Sequence, residues 1–240
     1  MNIIYEPRGK AGEYCKLACN LYRGCSHGCI YCYAPKATFN NDFAKPKQRK
    51  GLIEQLEKEA ALLRFPWNKH DSPILLCFTC DPYQLIDSHY QITRQALQIL
   101  KKNNLDVMIL TKGGKRAERD FDLLTHNDKF GVTLTCLDNS ESLKWESGAA
   151  LPNERIESLR VAHKLGVKTW VSIEPVINPE TSLEIIRQTH EFVDLFKVGK
   201  MNYHTIAKTI DWSKFGHDAI DLLQSLGNEY YIKDDLRRFL

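Results

Sequence analysis

The sequence predicts an α/β fold in which parallel strands alternate with helices and curl into a partial (β/α)6 TIM-like barrel. Three observations predict it. Short β-rich apolar runs alternate with segments of helical periodicity, the pattern of a parallel sheet built from βα units. Six such runs occur in 240 residues, and crossovers of constant right-handed sense curl six strands into an incomplete barrel, short of the closed eight. The runs also finish in polar residues, as strands do in a barrel that carries its chemistry at their C-terminal ends. A doubly wound open sheet is the competing arrangement.

The strand candidates run from Leu17 to Tyr22, Ile74 to Thr79, Asp106 to Thr111, Phe130 to Thr135, Lys168 to Ile173 and Val193 to Val198. Between them Leu52, Leu56, Ala60 and Leu63 mark one helical face, and Ile92, Ala96, Ile99 and Leu100 another. Ile156, Leu159, Ala162 and Leu165 continue the series up to Gly166, a C-terminal stop, and Leu183 and Ile186 follow. The tail reads as a helix from Ala219 to Leu226 closed by Gly227, then a short Tyr230-Tyr231-Ile232 segment and a charged end. No repeat, low-complexity tract or long linker interrupts residues 1–240, which are expected to form one domain with a short C-terminal helical extension.

Composition excludes more than it selects. Hydrophobic residues at 43% and charged residues at 26% describe an ordinary globular chain. The opening MNIIYEPRGK lacks the apolar core of a signal peptide and no run is long enough for a membrane-spanning helix, so a cytoplasmic protein without a membrane partner is expected. A net charge of +3 does not choose a partner. Eight cysteines in a reducing compartment point to metal binding or catalysis before disulfides.

Strand ends and cysteines carry the functional signal. By period-two alternation Cys77 and Thr79 share a face, as do Thr133 and Thr135, and Ser172 and Glu174; pointing inward, they line one cavity. Beside it lies GCSHGCIYCY, with Cys25, Cys29 and Cys32 spaced C-x3-C-x2-C after the first strand. Structural zinc takes four closed ligands. A cubane 4Fe-4S cluster also takes four, so three thiolates leave one iron open to the amino and carboxylate groups of a small molecule. The alternative is zinc on the same three thiolates plus His27 or a distant cysteine.

This motif, with Tyr31 before the last cysteine, resembles that of the radical S-adenosylmethionine (SAM) superfamily, C-x3-C-x-aromatic-C after the first strand of a partial (β/α)6 barrel. The resemblance implies a 4Fe-4S cluster on Cys25, Cys29 and Cys32, Tyr31 near the adenine of SAM, reductive cleavage of SAM to a 5'-deoxyadenosyl radical, and an external electron donor such as flavodoxin or ferredoxin. The strings NLYRGCSHGCIYCYAP, TCDPYQ and VSIEPVI are similar to the spore photoproduct lyase-like branch, in compact form. That likeness implies cosubstrate contacts at Thr79, Lys112, Thr135 and Ser172, and a nucleic acid base as one class of substrate. Glu174 stands at a strand end before Pro175, where it can meet a cosubstrate ribose or amine, or pair with Lys197 or Lys200.

The match departs from the lyase at one point. The position of its hydrogen-donating cysteine falls on Phe78, flanked by Cys77 and Cys80. Either of these, or Cys136 after the fourth strand, is a candidate hydrogen donor, the other reading being a small buried hydrophobe. Cys15 and Cys19, four apart, share a face if extended, and with Cys77 and Cys80 would suggest a second cluster, against which Cys77 and Cys80, three apart, leave a regular strand on opposite faces. The basic stretches Lys45 to Lys50 and Lys112 to Arg119 can attract phosphates, with Tyr83 and Tyr90 stacking on a base, or are solvated helix starts and loops. The reading from another class is a non-catalytic zinc- or nucleic-acid-binding module that uses the cysteine loop as a clip.

Overall fold

The computed structural model describes residues 2–63 and 72–240. Ten strands form among them: β1 (Ile4–Tyr5), β2 (Leu17–Cys19), β3 (Tyr22–Arg23), β4 (Lys47–Gln48), β5 (Ile74–Leu76), β6 (Val107–Thr111), β7 (Lys129–Thr133), β8 (Lys168–Ile173), β9 (Leu195–Val198) and β10 (Glu229–Ile232). The helices are α1 (Ala34–Ala37), α2 (Leu52–Leu63), α3 (Asp87–Tyr90), α4 (Ile92–Lys102), α5 (Asn139–Trp145), α6 (Pro152–Lys164), α7 (Pro179–Thr189), α8 (Trp212–Leu226) and α9 (Asp234–Arg237), with a 3-10 segment over Gly114–Leu123.

One sheet has the order β1-β2-β5-β6-β7-β8-β9-β10, and every neighbouring pair except β1 with β2 is parallel. Strand order follows chain order without reversal, so the sheet has no switch point of the doubly wound kind. It is a partial TIM-like barrel, left open between its edge strands. The six predicted strands are all present, and the Tyr230-Tyr231-Ile232 segment is a seventh parallel strand, β10, in register with β9.

Three strands end earlier than alternation predicts. Asn20 explains two of them, because its Oδ1 accepts the backbone N–H groups of Phe78 and Thr79, each at 2.9 Å. These amides are satisfied by a side chain and not by a neighbouring strand, so β2 stops at Cys19 and β5 at Leu76. Tyr22 and Arg23 leave for a two-stranded sheet with β4. Similarly, β7 ends at Thr133 and leaves Thr135 in the following loop.

Both faces of the sheet are buried, which is why its strands read as nearly continuous apolar runs. The outer layer packs Ile74, Leu76, Val107, Ile109, Phe130, Val132, Val171 and Phe196 beneath the helices, whose inward residues include Leu56, Leu97, Leu159 and Ile186. The barrel interior holds a smaller cluster of Cys15, Ala18, Leu75, Met108 and Trp170. Cys15 therefore faces the interior while Cys19 joins the outer layer, so the two do not share the face expected of an extended i, i+4 pair.

Trp170 fills the barrel floor. Its Nε1 donates to the Ile109 carbonyl at 3.1 Å, and it sits across from Gly131, where a Cβ would lie 2.3 Å from the indole. Replacing Gly131 with Ala should destabilise the chain by about 1–3 kcal/mol through overpacking, read as a lowered thermal midpoint together with altered Trp170 fluorescence. An unchanged midpoint would show that the indole relaxes freely.

Candidate metal centre

The cysteine loop sits at the C-terminal ends of β5 and β6. Cys25, His27, Cys29 and Cys32 line one open cleft with Cys77, Phe78, Thr79, Cys80, Asp81, Thr111, Lys112 and Thr133. All eight cysteines are free thiols. Burial pushes the Cys29 thiol up to about 11, against the opposing pull of Lys112, and raises that of Cys25 further.

Two neighbouring segments hold this loop in place. From the β5 side, Gln84, fully buried, accepts the Ser26 N–H at 2.9 Å and donates to the Gly24 carbonyl at 3.2 Å. Asp81 ties the same turn to β6, accepting from Thr111 Oγ1 and Lys112 N, each at 2.6 Å. The TCDPYQ string is thus the scaffold of the cysteine loop. From the other side comes the turn after α5: Ile30 N–H donates to Trp145 O at 3.0 Å, Gly148 N–H to His27 O at 2.8 Å, and Cys29 and Glu146 form an isolated antiparallel bridge. Gly28, at φ +63, meets this turn so closely that a Cβ would stand 2.7 Å from Ser147 Oγ.

His27 is buried between Asp81, at 3.5 Å from its Nδ1, and Arg116, at 3.5 Å from its Nε2. Burial lowers it to about 4, against the opposing pull of Asp81, and the ring is neutral at pH 7. Among the described residues no three His, Cys, Asp or Glu side chains are placed to hold one metal ion. A closed zinc site requires such convergence. A cubane takes one thiolate per iron, and three free thiols on one wall of a cleft suit a 4Fe-4S cluster.

The Radical SAM superfamily profile matches residues 19–193. The chain belongs to that superfamily. Its cofactors are accordingly a 4Fe-4S cluster and SAM. Among curated proteins, this radical SAM chain is 28% identical over 185 residues to an uncharacterized protein of Methanocaldococcus jannaschii, covering 75% of this chain and 68% of that one. An uncharacterized protein of Mycobacterium tuberculosis is 27% identical over 168 residues, with coverage of 66% and 48%, so the chain spans about half the length of that relative.

Among solved structures, spore photoproduct lyase with bound AdoMet and dinucleoside spore photoproduct aligns with TM-score 0.70 at 13% identity, over 95% of this chain and 78% of that one. Streptococcus suis SuiB bound to S-adenosylmethionine aligns with TM-score 0.65 at 13% identity, over 90% and 45%. At such identities the likeness is one of fold.

Of the positions assigned to the cosubstrate, Thr79 and Lys112 share the cleft wall with the three cysteines. Tyr31 turns its hydroxyl to Glu146, and the Lys112 ammonium lies 5.6 Å from its ring centroid. Burial disfavours the charge on Lys112, but Cys29 and Glu146 outweigh it and hold the pKa above its ordinary value. Thr135 is buried and donates to Cys136 Sγ at 3.6 Å. Both lie outside the residues lining the cleft, as do Ser172 and Glu174.

Ser172 and Glu174 belong to a separate polar group in the barrel. Tyr14 hydroxyl lies 3.0 Å from Ser172 Oγ and donates to Glu174 Oε2 at 2.8 Å. The salt-bridge partner of Glu174 is Lys233, at 2.5 Å, and neither Lys197 nor Lys200. The alternation that places Glu174 at the rim does not reveal Lys233, which arrives there through the unforeseen strand β10. Lys197 instead donates to the Glu13 and Tyr14 carbonyls at 2.9 and 3.0 Å.

Of the basic stretches, Lys45, Lys47, Lys50 and Lys115 are exposed, whereas Arg119 pairs with Asp87 and Asp120. Tyr83 is buried and unable to stack on a base; Tyr90 is exposed. No helix among the described residues is long and apolar enough to cross a membrane.

Two outcomes follow for this radical SAM chain. Gln84→Ala should lose about 1–3 kcal/mol as the Ser26 N–H and Gly24 carbonyl go unpaired, and should retain less iron per chain than wild type after anaerobic desalting; equal retention would mean the loop does not need Gln84. Lys197 is held near pKa 8 by burial, with Lys129 and Lys233 adding repulsion. Because the unfolded chain binds this proton more tightly, the penalty is full below about pH 8 and fades as pH rises towards 10.5. Relative to Lys197→Met, wild type should therefore become more stable by up to about 3 kcal/mol across that window in urea unfolding, and a flat difference would refute the depressed pKa.

Proposed function

We propose that Cys25, Cys29 and Cys32 hold the cluster, that SAM is cleaved reductively beside them, and that the resulting radical abstracts hydrogen from a nucleic acid base presented at the barrel mouth. The observation that carries this reading is the single cleft shared by the three cysteines, Thr79, Lys112 and the thiols of Cys77 and Cys80. When bound, the cluster supplies the electron and the open iron that SAM cleavage needs. Lys112 provides a half-buried cation for the methionine carboxylate, where a charge-assisted contact is stronger than at a surface. Thr79 offers a hydroxyl on the same wall.

Cys77 and Cys80 are the proposed hydrogen donors. A donor has to be a neutral S–H, and burial raises the Cys77 pKa well above its ordinary value. Cys136, buried beneath Thr135, is less well placed to meet a substrate in the cleft. The nucleic acid assignment is supported by exposed Lys45 and Lys47, which follow Phe43 on the cleft wall and offer charge to phosphates. The lyase structure bound to a dinucleoside photoproduct shows such a substrate on the same fold.

Anaerobically reconstituted protein should contain about four irons and four sulfides and release 5'-deoxyadenosine from SAM with dithionite; Cys29→Ala should do neither. Deuterium-labelled oligonucleotides should pass label into 5'-deoxyadenosine. Transfer from labelled peptides alone would replace the substrate assignment, and zinc without iron would replace the enzyme by a binding module.

A further inference from the structure

Behind the cysteine loop lies a buried ion pair that the motif does not include. Glu146, 1% exposed, ends α5, and Arg155, also 1% exposed, rises from α6. Arg155 Nη2 stands 2.6 Å from Glu146 Oε2. The guanidinium is itself fixed, donating through Nε to the Ala150 carbonyl at 2.8 Å and through Nη1 to the Thr133 carbonyl, at the end of β7, at 3.0 Å. The second carboxylate oxygen, Oε1, accepts the hydroxyl of Tyr31. The contact with the Arg155 guanidinium makes Glu146 the carboxylate partner of a buried ion pair.

A rigid strand end thus fixes Arg155, Arg155 fixes Glu146, and Glu146 fixes the ring that precedes Cys32. The backbone of Glu146 is joined to the loop by the antiparallel bridge with Cys29. Burying an ion pair is a poor route to stability, because desolvation offsets much of the attraction. Its place against this loop suits a different use.

We infer that Glu146 is a positioning residue for the cofactor chemistry: through Tyr31, whose ring centroid lies 5.6 Å from the Lys112 ammonium of the cleft wall, it orients the residues that meet SAM, and its negative charge beside Cys29 helps to set the reduction potential of the cluster. This rests on the assignment of Cys25, Cys29 and Cys32 as ligands. Reduction adds an electron to the cluster, so a nearby fixed negative charge opposes it and favours the oxidised state. Glu146→Gln removes that charge while the Arg155 cation stays, and so moves the potential upward. Tyr31→Phe keeps both charges and removes only the hydroxyl.

The test compares anaerobically reconstituted wild-type, Glu146→Gln and Tyr31→Phe holoenzymes by iron content, spectroscopic redox titration and equilibrium SAM binding. Glu146→Gln should shift the reduction equilibrium about tenfold towards the reduced state, about 59 mV for a one-electron couple. Tyr31→Phe should leave the potential at the wild-type value and weaken SAM binding about fivefold, because a ring released from Glu146 has to be ordered again when SAM binds. A wild-type potential in iron-replete Glu146→Gln overturns the electrostatic role, and wild-type SAM affinity in Tyr31→Phe overturns the positioning role. Should Glu146→Gln not fold, Glu146→Asp, which keeps the charge and shortens the reach, takes its place: weakened SAM binding at near-wild-type potential supports the inference, and unaltered binding refutes it. Wild-type protein that takes up no iron fails the ligand assignment instead.

Discussion

The cysteine loop has few bonds of its own, and its shape depends on buried polar groups lent by its neighbours. Gln84 satisfies one end of the loop, at Gly24 and Ser26, while the turn after α5 satisfies the middle, at His27, Cys29 and Ile30. Each contact completes a backbone group of the loop, and one left buried and unpaired would lose about 1–3 kcal/mol. Three thiols are presented on one wall because segments far apart in sequence meet there. The proposed metal site therefore belongs to the assembled strand ends as much as to the motif.

The sheet makes that assembly possible. Its outer face is sealed by helices and its inner face by Trp170 and the small cluster around it, so the strands have little freedom to shift register. Gly131 accepts the indole edge where any side chain would collide. With the floor filled, polar groups are carried at the strand ends. Two centres result: the thiol cleft over β5 and β6, and the Tyr14, Glu174 and Lys233 group towards β8, β9 and β10.

This second group also ties the early and late parts of the chain together. Lys233 faces both Glu174 and Glu13, the Glu13 carboxylate accepts the Asp234 N–H at 2.7 Å, and Lys197 donates to the Glu13 and Tyr14 carbonyls. Buried cations beside Tyr14 are acceptable because aromatic faces and carbonyls replace their water. A radical SAM enzyme has to shield a reactive species, and a barrel filled from below and linked across its terminal segments leaves the strand-end side as the open approach.

The barrel class, the six strands first expected and the cysteine motif were all legible in the sequence, because each is a local pattern: apolar runs of strand length, helical spacing between them, and thiols within eight residues of one another. Those patterns report burial and proximity along the chain. They do not report which distant groups meet, so in sequence β10 is a short tail segment, Lys197 and Lys200 stand out as partners for Glu174, and nothing marks Glu146 or Arg155. Tyr83 likewise read as a stacking ring until packing buried it. Only the tertiary structure decided these points, since a buried charge or amide is satisfied by whatever the fold brings within about 3 Å, and that choice is made across the sheet and not along the chain.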